Sequence, residues 1–288
     1  MKQLILHQAQ LTTKTVIVKQ QLVPLTAVFY IKINWKNMKN IKLFLLLTFL
    51  LTACSIDEST VTSRYRLELI QGYDIDVPEP SGLCFNYDKS ALYTVNDPPN
   101  NKIYKINLAG ETIKELSYIG TDLEGITFDI RDTTLWIVEE SLFQLVHIDT
   151  NGNLIDSIQI QFSANGNSGF EGVTLNSTNN NFYILNEKDP GLLLEIDTNF
   201  NIINRISLNF ADDYSGIFFD NNSDNYFIVS DESQTLYIWN KTVGVISELS
   251  IDEKKIEGVA FNSETHYIYF VSDSEEKLYI YELVDMEN

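Results

Sequence analysis

A short segment built around one glycine recurs five times between residues 81 and 262. Its glycines are spaced by 43, 47, 44 and 42 residues: Gly82, Gly125, Gly172, Gly216 and Gly258. An Asn or Asp follows each glycine by four residues, an aromatic residue by eleven and an acid by fifteen. Repeats of this length indicate an array of similar structural units rather than one irregular core.

Each unit contains four short runs of aromatic and β-branched residues, separated by Asn, Asp and Gly. In the first unit these runs are 82–85, 92–95, 103–106 and 115–119. Such runs are typical of strands, and four-stranded units of this length are typical of propeller blades. We therefore predict an all-β chain, a β-propeller of five four-stranded blades. Six blades is the alternative, but it would need a diverged unit that the sequence does not display.

The ends of the repeat array predict how the ring closes. Only 30 residues follow Gly258, which is enough for three strands but not for a fourth. An unassigned strand-like run, residues 65–70, precedes the first unit. Pairing this N-terminal strand with the last blade would complete that blade and leave no open sheet edge.

The N-terminal region has the pattern of an export signal. Residues 1–53 contain seven Lys and no Asp or Glu, and a basic stretch at 38–42 precedes an apolar run at 43–51. This run is too short to span a bilayer, and the sequence Leu-Thr-Ala-Cys that ends at Cys54 resembles a bacterial lipobox. We predict a mis-assigned upstream extension (1–37), a lipoprotein signal peptide (38–53), lipidation at Cys54, a tether (54–63) and the propeller (64–288). The alternative is a buried strand followed by an ordinary cysteine.

This organisation predicts a location in the bacterial cell envelope, with an acyl chain as the membrane anchor. Ser55 after the cysteine is compatible with the outer membrane, and both periplasmic and surface-facing orientations remain open. Cys84 would be the only thiol left, so no intramolecular disulfide can form. We expect a monomer whose stability comes from core burial.

The predicted mature chain is strongly acidic. It retains 13 Lys and Arg against 40 Asp and Glu, so its net charge is −27. Such a charge repels nucleic acid and anionic lipid and attracts cations. The expected partners are therefore the membrane, through the acyl anchor, and an unknown small ligand or envelope protein, with no nucleic acid.

Two sets of repeated polar residues should meet at one mouth of the propeller channel. The first column is the residue before each repeated glycine, and the second column is the acid fifteen residues after that glycine. They should meet because the first strand of a blade starts at the face where the second strand ends. A ring of carboxylates suits Ca²⁺ better than Zn²⁺, although acids that recur in every blade can also serve as structural hydrogen-bond acceptors. We predict Ser81 and Ser215, which replace Glu in the first column, and Lys188 as ligand-binding residues. The predicted metal ligands are Glu124, Glu171 and Glu257 in the first column and Asp97, Glu140, Glu187, Asp231 and Asp273 in the second.

Signals for catalysis are few. His147 and His266 are the only histidines after residue 53, and neither is predicted to lie near the acids. No nucleophile elbow, phosphate-binding glycine loop or zinc spacing is present. No residue is therefore assigned as catalytic.

The segments Glu-Pro-Ser-Gly-Leu at 79–83, Leu-Glu-Gly-Ile at 123–126, Phe-Glu-Gly-Val at 170–173 and Ile-Glu-Gly-Val at 256–259 resemble those of the SdiA-regulated (YjiK-like) family. The resemblance extends over residues 64–284. It implies an exported, phytase-like propeller of the cell envelope with a link to calcium. The residues of this sequence that match the family's repeated glutamate are Glu124, Glu171 and Glu257. Ser81 and Ser215 depart from the pattern and argue against a symmetric site of five carboxylates.

Three hypotheses for function follow. The first is a non-catalytic, membrane-anchored binding protein with Ca²⁺ at the acidic mouth. The second is a calcium-dependent, phytase-like or esterase- or lactonase-like hydrolase, with Glu171 or Glu187 as the base and Lys188 as the anion clamp. The third is a structural scaffold whose channel acids are solvated.

Overall fold

The computed structural model describes residues 63–97, 100–163 and 168–287. Within these ranges every regular element is a β-strand. The strands are β1 (Tyr65–Asp74), β2 (Pro80–Phe85), β3 (Ala91–Asn96), β4 (Ile103–Asn107), β5 (Thr112–Glu115), β6 (Leu123–Asp129), β7 (Thr134–Glu139), β8 (Gln144–Ile148), β9 (Leu154–Gln159), β10 (Phe170–Asn176), β11 (Asn181–Asn186), β12 (Leu192–Ile196), β13 (Ile202–Ser207), β14 (Gly216–Asp220), β15 (Asn225–Ser230), β16 (Thr235–Asn240), β17 (Gly244–Ser250), β18 (Ile256–Asn262), β19 (Tyr267–Ser272) and β20 (Lys277–Asp285).

The described strands form five antiparallel sheets of four strands each, which are the blades of a propeller. Blades one to four are consecutive: β2–β5, β6–β9, β10–β13 and β14–β17. Neighbouring blades meet through their innermost strands, with β2 against β6 and β18, and β10 against β6 and β14. The prediction of five blades is confirmed, and the alternative of six is not.

Blade five is completed by the N-terminal strand, as the sequence predicted. Its strand order is β18-β19-β20-β1, and β1 pairs with β20 from Tyr65 opposite Asp285 to Asp74 opposite Lys277. Arg64 extends this junction, since its guanidinium donates to Asp285 Oδ2 at 2.6 Å. The first and last strands of the ring are thereby joined in one sheet.

The core lies between the blades, because the sheet of each blade presents apolar side chains to the blades on both sides. The predicted aromatic column is buried at every position, with exposed fractions of 5% or less: Tyr93, Trp136, Tyr183, Phe227 and Tyr269. His147 also belongs to this packing, since its ring stacks on Trp136 with the centroids 3.9 Å apart. His147 is half-buried in this position, and its Nε2 is bonded to Thr134 Oγ1 at 2.7 Å.

The five repeated glycines form a tight waist in the central channel. With their apolar neighbours they surround a cavity of only about 10 Å³. A Cβ atom at Gly82 would lie 2.4 Å from the carbonyl oxygen of Glu124, and one at Gly216 would lie 2.2 Å from that of Glu257. Glycine is therefore needed here so that neighbouring first strands can approach closely.

Several predictions concern residues outside the described ranges. The upstream extension, the signal peptide and Cys54 all fall there, as does the tether apart from its last residue. Among the described residues, none lies in a helix that could cross a bilayer.

Candidate functional site

A repeated backbone clamp brings the two polar columns to one mouth of the channel. In each case the backbone carbonyl of the residue two positions before the first-column residue accepts a hydrogen bond from the backbone N–H of the second-column residue of the same blade. This occurs in blades one, two, three and five, with Asp97 N to Glu79 O at 3.3 Å, Glu140 N to Asp122 O at 2.9 Å, Glu187 N to Gly169 O at 3.2 Å and Asp273 N to Lys255 O at 2.9 Å. In these four blades the start of the first strand is thus fixed against the end of the second strand, as predicted.

A β-bulge lies at the first column in four of the five blades. The pairing register shifts between Leu123 and Ile126, between Phe170 and Val173, and between Ile256 and Gly258, with a fourth shift between Pro80 and Leu83. A bulge redirects a side chain and interrupts pairing locally. Glu124, Glu171 and Glu257 all lie within these bulges.

The carboxylates at this mouth form a continuous chain of close contacts. Three overlapping trios each have ligand atoms within 4.8 Å of one another, and they share Glu124 and Glu140. We call their combined set the carboxylate arc: Glu257, Asp97, Glu124, Asp122, Glu140, Glu171 and Glu187. A further trio, Glu187, Asp213 and Glu232, continues from its end.

Burial and mutual repulsion raise the pKa of five carboxyl groups of the arc. Burial, and then the charge of Asp273, raises the pKa of Asp97 to about 7. Burial, with Asp122 and then Glu187 nearby, raises the pKa of Glu140 to about 7. Burial, together with Asp97 and Asp273, raises the pKa of Glu257 to about 8.

The most deeply buried members are affected in the same direction. Burial, followed by repulsion from Asp97 and Glu257, raises the pKa of Glu124 well above its ordinary value. Burial and the nearby Glu124 and Glu140 do the same for Glu171. Without a cation, these five carboxyl groups are therefore easier to protonate than ordinary carboxyl groups, and bound positive charge would favour their ionised forms.

The two serines of the first column support carboxylates instead of supplying them. Ser81 Oγ donates to Glu124 Oε2 at 2.8 Å. Ser215 Oγ donates to Asp213 Oδ2 at 3.3 Å and accepts the backbone N–H of Asp231 at 3.2 Å. In blade four, Asp213 thus provides the buried carboxylate that Ser215 lacks.

Two lysines occupy the other side of the mouth. Lys188, predicted to bind ligand, bridges Glu187 Oε1 at 2.6 Å and Glu232 Oε1 at 2.9 Å. Lys255 pairs with Asp231 and lies 4.0 Å from Glu257 Oε1. Both ammonium groups are therefore already ion-paired with carboxylates of the protein.

The predicted metal ligands divide into two groups. Asp97, Glu124, Glu140, Glu171, Glu187 and Glu257 are all members of the carboxylate arc. Asp231 and Asp273 lie at the same mouth but belong to none of its trios, and Asp231 is paired with Lys255. The site is an arc over blades five, one, two and three rather than a symmetric ring.

Sequence reasoning missed Asp122 and Asp213. Both occupy the position two residues before the first column, where the five blades carry Glu79, Asp122, Gly169, Asp213 and Lys255. This third column was visible as three acids in five repeats, but only the backbone clamp reveals that it faces the mouth. Gly169 leaves room there, because a Cβ atom would lie 2.3 Å from Glu140 Cγ.

The arc has the donor chemistry and spacing of a hard-cation site. Two oxygens that bind one Ca²⁺ at 2.3–2.6 Å lie at most about 5 Å apart, and each trio meets that limit. Asp97 Oδ1 is buried without a hydrogen-bond partner, so an acceptor is left uncompensated. No His or Cys belongs to the described trios, which disfavours Zn²⁺.

Comparison with solved structures finds a likeness in fold to one of them. The chain resembles Myxococcus xanthus glutaminyl cyclase with a TM-score of 0.59 and 12% identity, covering 77% of this chain and 97% of that chain. It also matches the β-propeller domain of Myceliophteria thermophila Cps50 (Swd1) with a TM-score of 0.44 and 12% identity. That match covers 72% of this chain and 65%, less than two thirds, of the other. At these identities the likeness concerns the fold alone.

Comparison with family models is more specific. The model of the SdiA-regulated family matches residues 57–282, which include all five blades and the carboxylate arc. The match agrees with the resemblance carried by the repeated Glu-Gly segments. The chain therefore belongs to the SdiA-regulated family.

Proposed function

We propose that this protein is a non-catalytic binding protein of the bacterial cell envelope that holds Ca²⁺ at the carboxylate arc. The observation that carries the proposal is the overlap of three trios whose ligand atoms lie within 4.8 Å of one another. The unpartnered Asp97 Oδ1 and the raised pKa of Glu257 provide further support, because a cation would compensate both. Ca²⁺ tolerates irregular oxygen sites of six to eight ligands.

Calcium binding should stabilise the fold and depend on Glu124, which belongs to two trios. At a Ca²⁺ concentration 100 times Kd, linkage gives about 2.7 kcal/mol, which for a domain of this size raises Tm by roughly 5–10 °C. Glu124→Gln should weaken binding by roughly tenfold or more, because a buried charged ligand is lost. Calorimetric titration and thermal melts with and without Ca²⁺ measure both effects.

The matched control is Glu248→Gln, which makes the same charge change on an exposed part of the outer strand β17. It should bind Ca²⁺ like the wild type. Affinity should also fall as the pH is lowered from 8 to 6, since protons compete for Glu257, Asp97 and Glu140, whose pKa values are about 8, 7 and 7. Equal Ca²⁺ affinity in the wild type and Glu124→Gln would contradict the proposed site.

The envelope location is proposed from the signal pattern before Cys54 and the acidity of the predicted mature chain. Acyl chains must provide the attachment, because a protein of this charge gains nothing from anionic headgroups. Labelled palmitate should enter the wild-type chain in a bacterial host and be absent from Cys54→Ser. Labelling of both chains, or of neither, would contradict the anchor.

A calcium-dependent hydrolase is the second candidate function. The observation that favours it is the pKa of Glu140, about 7, beside Glu171 and Glu187, because a carboxyl group that titrates near neutrality can transfer protons. Lys188 weakens this candidate, since the predicted anion clamp is bound to Glu187 and Glu232. Calcium-dependent turnover of phosphomonoesters, phytate or lactones that is lost in Glu171→Gln would favour the hydrolase.

A further inference from the structure

The channel widens again on the side of the glycine waist away from the acids. There it forms a cavity of about 440 Å³, to which all five blades contribute. At the density of liquid water this space would hold roughly 15 water molecules. We call it the apolar funnel, and its walls include Leu83, Ile126, Val173, Ile217 and Phe261.

The funnel presents little free charge. Its charged lining residues are Lys89 and Asp220. Lys89 Nζ pairs with Glu264 Oε1 at 2.9 Å, and Asp220 Oδ2 accepts the Ser223 hydroxyl at 2.7 Å. Because Lys89 is already paired with Glu264, an anionic ligand would find no free counter-ion among the described lining residues. Asp220, which is bonded to neutral hydroxyl and backbone N–H groups, is the one lining charge without an ion-pair partner there.

The rim of the funnel is asymmetric. The turns between first and second strands are bonded to one another from blade three to blade four, from four to five and from five to one. The bonds join Ser177 to Asn221, Asn222 to Ser263, and Lys89 to Asn262 and Glu264.

The corresponding turns of blades one and two expose apolar side chains at the same rim. Tyr87 is 68% exposed and Ile130 is 52% exposed, and both line the funnel. No side-chain bond links these two turns in the described part of the chain. The rim therefore has a polar, bonded side and an apolar, open side.

We propose that the apolar funnel is a second binding site, which takes a small uncharged molecule with an apolar body through the open side at Tyr87 and Ile130. Sites for small molecules are mostly apolar concavities of 300–1,000 Å³ with a few polar groups, and this cavity fits that description in volume and lining. A ligand there would release water from apolar walls. The site is independent of the carboxylate arc, because the waist separates the two.

The neutral fluorophore N-phenylnaphthylamine tests the proposal on the purified full chain. We expect saturable fluorescence enhancement at one site per chain. The double variant Tyr87→Asp, Ile130→Asp should bind roughly tenfold more weakly, since two carboxylates at an apolar entrance oppose entry of an apolar ring. Both residues are exposed, so the fold and Tm should be retained.

The matched control is the double variant Ile155→Asp, Ile203→Asp, whose residues are 52% and 54% exposed on the outer strands β9 and β13. It makes the same charge change. It also keeps the apolar run at residues 43–51, so any binding of the probe to that run is the same in both variants. The control should bind the probe like the wild type. Glu124→Gln should also bind the probe unchanged, which separates this site from the arc. Unsaturable binding by the wild type, or equal affinities in the rim and control variants, would overturn the proposal.

Discussion

Replacing Gly216 by alanine should destabilise the propeller by about 3 kcal/mol or more, which lowers Tm by roughly 6–12 °C. The added Cβ atom would lie 2.2 Å from the carbonyl oxygen of Glu257, a backbone atom of the neighbouring blade. The backbone at 216 is in a conformation that L-residues adopt readily, so the cost arises from collision rather than from strain at the residue itself. Thermal and denaturant unfolding measure the loss.

The same substitution should weaken calcium binding, because moving the Glu257 carbonyl displaces a residue of the carboxylate arc. Gly72→Ala is the matched control. Its Cβ atom would lie 2.9 Å from Cε1 of Tyr279, a side-chain rather than a backbone atom, so we expect a smaller cost, about 1–2 kcal/mol. A Gly216→Ala protein with wild-type Tm would show that the first strands can separate at the waist without penalty.

Deleting residues 64–74 should have the second large effect, since it removes β1 and leaves blade five with three strands. Tyr65 and Leu67 pack against the core between blades four and five, and Tyr73 packs against the core between blades five and one. Fully burying an apolar side chain is worth about 1.5–3 kcal/mol; these three are half-buried, and the loss of the β1–β20 ladder adds about 1 kcal/mol for each hydrogen bond. We therefore expect a loss of about 5 kcal/mol or more, and a Tm lower by roughly 10–20 °C.

Circular dichroism melts and size-exclusion chromatography measure this prediction. The deletion should also promote association, because β20 would present an unpaired edge. A chain that starts at residue 63 is the control, since it retains β1 and the Arg64–Asp285 pair. Equal melting of the chain without β1 and of this control would contradict the role of β1 in ring closure.

The sequence predicted the features that repeat at fixed intervals. Five glycines, five aromatic residues and five acids recur with nearly constant spacing, and their periods depend only on strand alternation and blade length. Blade number, the buried Tyr93 column and closure by β1 followed from this periodicity. The meeting of Glu124, Glu171 and Asp97 at one mouth also followed, because strand direction alone fixes which ends coincide.

The features that were missed depend on contacts between particular neighbours. The bulges at the Glu-Gly steps insert residues into the pairing without a marker in composition. Asp231 belongs to the acidic column but not to the arc, and it pairs with Lys255 from the next blade. The repeated glycine was recognised as a marker of the repeat, whereas its close contact with the adjacent backbone appears only once the blades are assembled. The lipid anchor stays a prediction.

The waist at the five glycines has a consequence for traffic through the molecule. With about 10 Å³ at this level, a hydrated ion cannot travel from one face of the disc to the other. An ion that enters the mouth lined by the carboxylate arc must leave through the same mouth. A partner bound over that mouth would slow the release of the ion without contacting a carboxylate that ligates it. The dissociation rate of calcium would therefore report whether the mouth is covered.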